Sequence, residues 1–182
     1  DQLASVGKQF TQAYAAPVCS PSRAALLTGK SPAFLHLTEH LRKKPWQAKE
    51  GQWQPPNIVR DLSLEHMTVA EYLAGLDYTT AAFGKWHLGG EGYLPINQGF
   101  DYALAGSRDG MPGSYYHPFS SKLFQLPVLE DLGKPGDYLT DLLTDQAIDF
   151  LQKDHQQPFF LYLSYFAVHT PIKKKKNLAE KY

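Results

Sequence analysis

The sequence predicts an α/β fold, a mostly parallel sheet flanked by helices, and three observations carry that reading. Short β-prone runs alternate with segments of helical period along the chain. The apolar run after Pro158 has the continuous character of a strand covered on both faces of a parallel sheet. Apolar residues make up 43% of the 182 residues and aromatics 13%, enough to build a core. No internal repeat interrupts the pattern, which reads as a single domain.

Taken in order, Asp1–Gly7 reads as the tail of an amphipathic helix. Ser20, Pro21 and Ser22 are helix-starting residue types and Ala24 to Leu27 are good helix formers, so a helix opens at or just after Cys19. Thr68-Val69-Ala70-Glu71 matches a capping box and opens a helix through Leu76. Tyr78 to Phe83 is β-prone and stops at Gly84. Residues 84–136 are rich in Gly, Pro, Ser and aromatics and are expected to form long irregular loops. Leu139, Leu142, Leu143, Ile148 and Leu151 have helical spacing within 139–153. Phe159 to Val168 is the second strand, too short and interrupted to cross a membrane. Lys173 to Tyr182 reads as the opening of another helix.

Eighteen basic residues balance eighteen acidic ones, which argues against a nucleic-acid binder. The chemistry concentrates in Pro17-Val18-Cys19-Ser20-Pro21-Ser22-Arg23-Ala24-Ala25-Leu26-Leu27-Thr28-Gly29-Lys30. Cys19 is the sole cysteine, so its value lies in packing or in its own reactivity. A helix start surrounds it with backbone N–H groups and a positive dipole end, and Arg23 adds a cation one turn on. Such a site suits an anionic substrate. Lys85 and His87 follow a strand end, the rim where open α/β sheets gather ligand-binding groups, and an extended segment would put them on one face. His169 follows the second strand directly.

These residues carry a resemblance. Cys19-x-Pro21-Ser22-Arg23 followed by Leu27-Thr28-Gly29-Lys30 resembles the first signature of the type I, formylglycine-dependent sulfatases. Thr79-Thr80-Ala81-Ala82-Phe83-Gly84-Lys85-Trp86-His87-Leu88-Gly89 resembles the second, and the segment from Pro158 to Pro171 is similar to the one carrying the family's leaving-group histidine. Two positions depart from the common pattern. Asp77 replaces a usual glycine, a change that aspartate's tolerance of left-handed backbone makes benign. Phe83 replaces a smaller residue and is expected to alter packing beneath the site.

The resemblance implies the alkaline-phosphatase-like sulfatase fold in part, with residues 1–182 a portion of the N-terminal catalytic domain, truncated at both ends. It implies a sulfuric ester hydrolase similar to arylsulfatases and bacterial carbohydrate sulfatases, acting on a sulfated glycan or aryl sulfate. Cys19 would be oxidised to Cα-formylglycine by a maturation enzyme reading Cys19, Pro21 and Arg23. One oxygen of the hydrate would bind a divalent cation, usually Ca2+, and attack sulfur. Arg23 would help ionise that hydroxyl, Lys85 would neutralise the sulfate oxygens, His169 would serve the departing alcohol, and His87 would assist loss of the second proton. The family's acidic metal ligands cannot be placed here; the resemblance sets one pair before Asp1 and the other after Tyr182, so the 182-residue piece alone is expected to be inactive. Export to the periplasm or outside the cell is the family habit.

The alternatives are a phosphonate or phosphodiester hydrolase of the same superfamily, an inactive glycan-binding homologue, and a structural domain with an inert thiol. Two loops bear on substrate. Residues 31–56, with Trp46 and Trp53, could wall a cleft; Ser107–His117, with Arg108, Asp109, Tyr115, Tyr116 and His117, suits sugar binding or plain loop anchoring. Lys173 to Lys176 is either a solvated helix face or an attractor of polyanionic glycans.

Overall fold

The computed structural model describes residues 2–43, 48–54, 56–175 and 178. Helix α1 spans Gln2–Val6, α2 Cys19–Thr28, α3 Val69–Ala74, α4 Pro127–Leu132 and α5 Leu139–Leu151. Strands β1 (Thr79–Gly84), β2 (Tyr102–Leu104) and β3 (Phe159–Ser164) form one parallel sheet in the order β2-β1-β3. Thr79 pairs with Phe159 and Gly84 with Ser164, so β1 and β3 end side by side. Whatever follows those two residues is delivered to one rim of the sheet.

Strand alternation sorts the core onto two faces. Ala81, Phe83, Leu161 and Leu163 meet Leu139, Leu142, Leu143, Ala147 and Phe150 of α5. Ala82, Phe160 and Tyr162 meet Ala24 and Leu27 of α2, Ala70 of α3, Trp86 and Phe100. Each fully buried Leu or Phe in these layers contributes roughly 1.5–3 kcal/mol. The buried stripe of α5 runs through Ala147 and Phe150; Ile148 and Leu151, expected in it, remain largely exposed. Phe83 lies edge-on to Phe150 on the α5 face.

The capping box at Thr68 forms in full: its hydroxyl accepts from Glu71 N–H, and the Glu71 carboxylate accepts from Thr68 N–H at 2.7 Å. Asp77 sits at φ 62°, the left-handed conformation its substitution for glycine requires. Three expectations change. Residues 84–136 are not wholly irregular, since a 3-10 turn (Pro95–Asn97), β2 and α4 lie within them. β3 ends at Ser164 rather than Val168 and is only half-buried: both faces are covered, but its outer backbone edge has no strand partner among the described residues. Residues 173–175 are not helical, because the Lys173 and Lys174 carbonyls accept from the Tyr138 and Tyr116 hydroxyls instead of closing a helical turn; Lys176 and most of the segment to Tyr182 lie outside the described residues. No described helix is long and apolar enough to cross a membrane.

Candidate active site

Cys19 is the first helical residue of α2, entered from Val18 in extended backbone with no side-chain cap. The helix's first N–H groups are therefore left to whatever lies before Cys19. Ser20 locks this end in place. Buried, its hydroxyl donates to the His87 carbonyl at 2.9 Å and accepts from Leu41 N–H at 3.1 Å. Ser22 ties the incoming chain to the Ala16 carbonyl at 2.7 Å.

Opposite stands the segment after β1. Gly84 has φ 100°, and a Cβ there would fall 2.0 Å from the Ser164 carbonyl oxygen. Only glycine lets β1 and β3 close at this point. Lys85 N–H then donates to the Ser164 carbonyl at 2.7 Å. Lys85, Trp86, His87 and Leu88 are all buried. His87 adopts φ 58°, so Lys85 and His87 reach the site through a turn and not, as expected, along one face of an extended segment. A non-glycine residue held in this region costs of order 1–3 kcal/mol and is over-determined by its surroundings.

His87 Nε2 lies 2.7 Å from the Leu41 carbonyl, which can only accept; this assigns the proton to Nε2 and leaves Nδ1 as a lone pair. Nδ1 faces Cys19 Sγ at 3.2 Å. Gly110 closes the other side of the ring, where a Cβ would lie 2.4 Å from both Cε1 and Nδ1. Burial pushes the His87 pKa down to about 4, with Lys85 and Arg23 lowering it further against the Leu41 hydrogen bond and Asp109. The imidazole is neutral at pH 7. Burial also lowers the Lys85 pKa, Arg23 adding to the effect and Cys19 opposing it. Beside them, burial and Arg42 lower the His40 pKa, and the His40 and His87 rings are 6.5 Å apart.

Arg23 knits the three elements. Its Nη1 donates to the Lys85 carbonyl at 2.6 Å, to Tyr162 Oη at 3.2 Å and to Ser164 Oγ. Its buried Nε has no partner among the described residues. Tyr162 and Ser164 are two apart on β3 and share the α2-facing side, a juxtaposition that strand alternation could have flagged.

A cleft of ≈ 600 Å³ opens over Cys19, with His87, His169, His40, Lys43 and Arg108 in its walls. Cys19 and His87 line this cleft, Arg23 and Lys85 pack beside them without lining it, and His169, exposed, stands on its wall. Residues 40–43 confirm part of the 31–56 stretch as cleft wall; Trp53 is 96% exposed and away from it, and Trp46 lies outside the described residues. The segment Ser107–His117 divides. Arg108 and Asp109 reach the cleft, paired with Asp61 at 2.5 Å and Lys43 at 3.3 Å. Tyr115 is buried; Tyr116 and Lys175 line a different hollow of ≈ 710 Å³ beside α5, where Lys175 pairs with Asp141 at 2.5 Å. Sequence reasoning missed His40, Met111 and Phe124 in the cleft, which no motif marks.

Among the described residues no group of three or more His, Cys, Asp or Glu side chains could hold a metal ion. Asp109, which lines the cleft, is engaged by Lys43, and Asp61 by Arg108. These residues alone do not make a Ca2+ site.

The rim of this parallel α/β sheet sets the helix start that carries Cys19 against a buried lysine and a neutral histidine. The chain belongs to the sulfatase family, whose model matches residues 1–182. It is 33% identical to mouse (Mus musculus) N-acetylgalactosamine-6-sulfatase over 194 residues, covering 94% of this chain and 35% of that protein. The chain spans about a third of the length of the curated relatives it matches. Among solved structures, Ps i-CgsB aligns with a TM-score of 0.64 at 28% identity, over 91% of this chain and 38% of that one. BT4656, in complex with its substrate D-glucosamine-2-N,6-O-disulfate, aligns with a TM-score of 0.54 at 28% identity, over 88% and 27%. The fold is that of the alkaline-phosphatase-like sulfatases.

Proposed function

We propose that the protein containing this chain hydrolyses sulfate esters of a carbohydrate, using residue 19 as nucleophile after its conversion from cysteine to formylglycine. The observation that carries this reading is the 3.2 Å approach of the His87 Nδ1 lone pair to Cys19 Sγ, beside buried Lys85. The sulfur marks where an oxygen of the modified, hydrated residue would lie. That hydroxyl, its proton lost to solvent with the Arg23 cation favouring the anion, forms a bond to the sulfate sulfur as the bond from that sulfur to the sugar oxygen breaks. Lys85 neutralises charge on the sulfate oxygens as the transition state forms. His169 supplies a proton to the departing alcohol, worth typically 10²–10⁴-fold. His87 Nδ1 then takes the proton of the remaining hydroxyl, so that the carbon–oxygen bond to sulfate breaks, sulfate leaves and the aldehyde returns. A serine or thiol lacks that second hydroxyl, which is why a modified cysteine is needed.

Ca2+ and a maturation enzyme belong to this proposal through the family. A sulfated glycan substrate is supported by the relatives' sulfated sugars, and a periplasmic or extracellular site of action by the family resemblance. The test is release of inorganic sulfate from sulfated monosaccharides by the purified, matured protein, beside phosphate release from matched phosphate esters. Sulfate release abolished by Cys19→Ala is expected. Faster phosphate release would favour a phosphoester hydrolase, and no release of either would favour a binding homologue.

A further inference from the structure

Tyr115 lies in the segment Ser107–His117, read as suiting sugar binding or loop anchoring, and only 2% of it is exposed. Its ring stacks on Tyr138 at 6.1 Å, and its backbone carbonyl accepts from Leu139 N–H at 2.9 Å, at the start of α5. The phenol therefore projects from a fixed base. Its hydroxyl lies 2.8 Å from the Phe166 carbonyl and 2.8 Å from the His169 carbonyl. Both oxygens can only accept, so the single phenolic proton is shared between them. Burial raises the Tyr115 pKa, with Tyr138 adding to the shift and the His169 hydrogen bond opposing it, so the donor stays protonated.

The two carbonyls are the ends of one turn. His169 N–H donates to the Phe166 carbonyl at 2.9 Å, closing the segment that carries the histidine out of β3. The imidazole's Nδ1–H donates to the Thr170 carbonyl at 2.8 Å, so Nε2 is the nitrogen available to substrate, and in the imidazolium form its N–H is the proton passed to the departing oxygen. Phe166 anchors one end of the turn in the core, whereas His169 at the other end is exposed and has no such packing. The buried hydroxyl of Tyr115 spans the turn and ties it to α5.

We propose that Tyr115 is a positioning residue for His169: its hydroxyl, bonded to the carbonyls of Phe166 and His169, holds the turn that aims the histidine at the leaving-group oxygen. This rests on the role given to His169 above. Loss of the hydroxyl leaves the ring and the core in place but frees the turn, and a displacement of about 1 Å in a catalytic group can cost on the order of 100-fold. The cost should fall only on leaving groups that need a proton. An alkoxide from a sugar leaves poorly unless protonated, whereas 4-nitrophenolate leaves unaided.

The test compares Tyr115→Phe, His169→Gln and Tyr138→Phe in the full-length, matured protein, each assayed on a sulfated monosaccharide and on 4-nitrophenyl sulfate. The readout is the ratio of kcat values on the two substrates from one preparation, which cancels any change in the folded fraction. For Tyr115→Phe, kcat on the sugar sulfate should fall roughly 10- to 100-fold while kcat on the aryl sulfate falls about threefold or less. His169→Gln should show the same split more strongly, and Tyr138→Phe, whose hydroxyl serves the Lys173 carbonyl, should show none. If His169→Gln splits the substrates and Tyr115→Phe does not, Tyr115 is packing only and the proposal is overturned. If His169→Gln itself shows no split, the role given to His169 fails and the proposal falls with it.

Discussion

Acid should weaken the folded state through one identifiable side chain. His87 has a pKa of about 4 in the folded chain against 6.5 for an unperturbed histidine, with burial the main cause. The unfolded chain therefore binds the proton first as pH falls. His87's contribution is fully present above pH 6.5 and is lost progressively between 6.5 and 4. At 1.36 kcal/mol per pH unit between the two values, the full loss is about 3 kcal/mol. Most of it is lost between about pH 7.5 and about pH 4.5, a sizeable share of a typical domain's stability. Groups that could alter this are Lys85 and Arg23, which depress the pKa, Asp109, which raises it, and neighbouring His40, which is itself depressed. The assay is urea denaturation of the wild type and of His87→Gln at both pH values. Glutamine has no proton to take up in this range, so contributions from other groups cancel in the comparison. Wild type should lose roughly 2–3 kcal/mol more than the variant on acidification. Equal losses would refute the reasoning, as would an NMR titration placing the folded His87 pKa above 6.

Two further outcomes follow from the same geometry. Gly84→Ala puts a Cβ 2.0 Å from the Ser164 carbonyl oxygen, on a backbone at φ 100°, and must part the ends of β1 and β3; a loss of about 3 kcal/mol or more is expected, and a melting temperature within about 2 °C of wild type would contradict it. Arg23→Met removes the donor shared by the Lys85 carbonyl, Tyr162 and Ser164, together with a cation that lowers both Lys85 and His87. Turnover should fall roughly 10²–10³-fold and the pH dependence set by His87 should move upward; an unchanged pH profile would count against this placement of Arg23.

Local signals in the sequence were sufficient where the determinant is local. The capping box at Thr68, the left-handed Asp77 and the helix start at Cys19 each depend on residues within a turn of one another. The alternation of Phe160 and Tyr162 with Leu161 and Leu163 likewise settles which face each presents. What was not legible depends on partners distant in the chain. The Leu41 carbonyl that fixes the His87 tautomer is 46 residues away, and no side-chain type marks a carbonyl acceptor. Tyr115 could be read for sugar contact or for loop anchoring because nothing local distinguishes it from Tyr116; only the pairing of residues 115–116 with 138–139 buries one and leaves the other near the surface. Phe83 was expected to disturb packing under the site, yet strand alternation turns it toward Phe150 on the α5 face, away from Arg23 and Tyr162. The lysines at 173–175 read as a helix by composition alone, and the phenols of Tyr116 and Tyr138 claim their carbonyls instead.

The nucleophile is the centre of the proposed chemistry, and its identity can be weighed. Trypsin releases residue 19 in the peptide Gln9–Arg23, and conversion of the thiol to an aldehyde lowers the peptide mass by roughly 18 Da. In a preparation that releases sulfate, that lighter peptide is the expected species. A sulfate-releasing preparation in which residue 19 is entirely unmodified cysteine would contradict the mechanism at its first step.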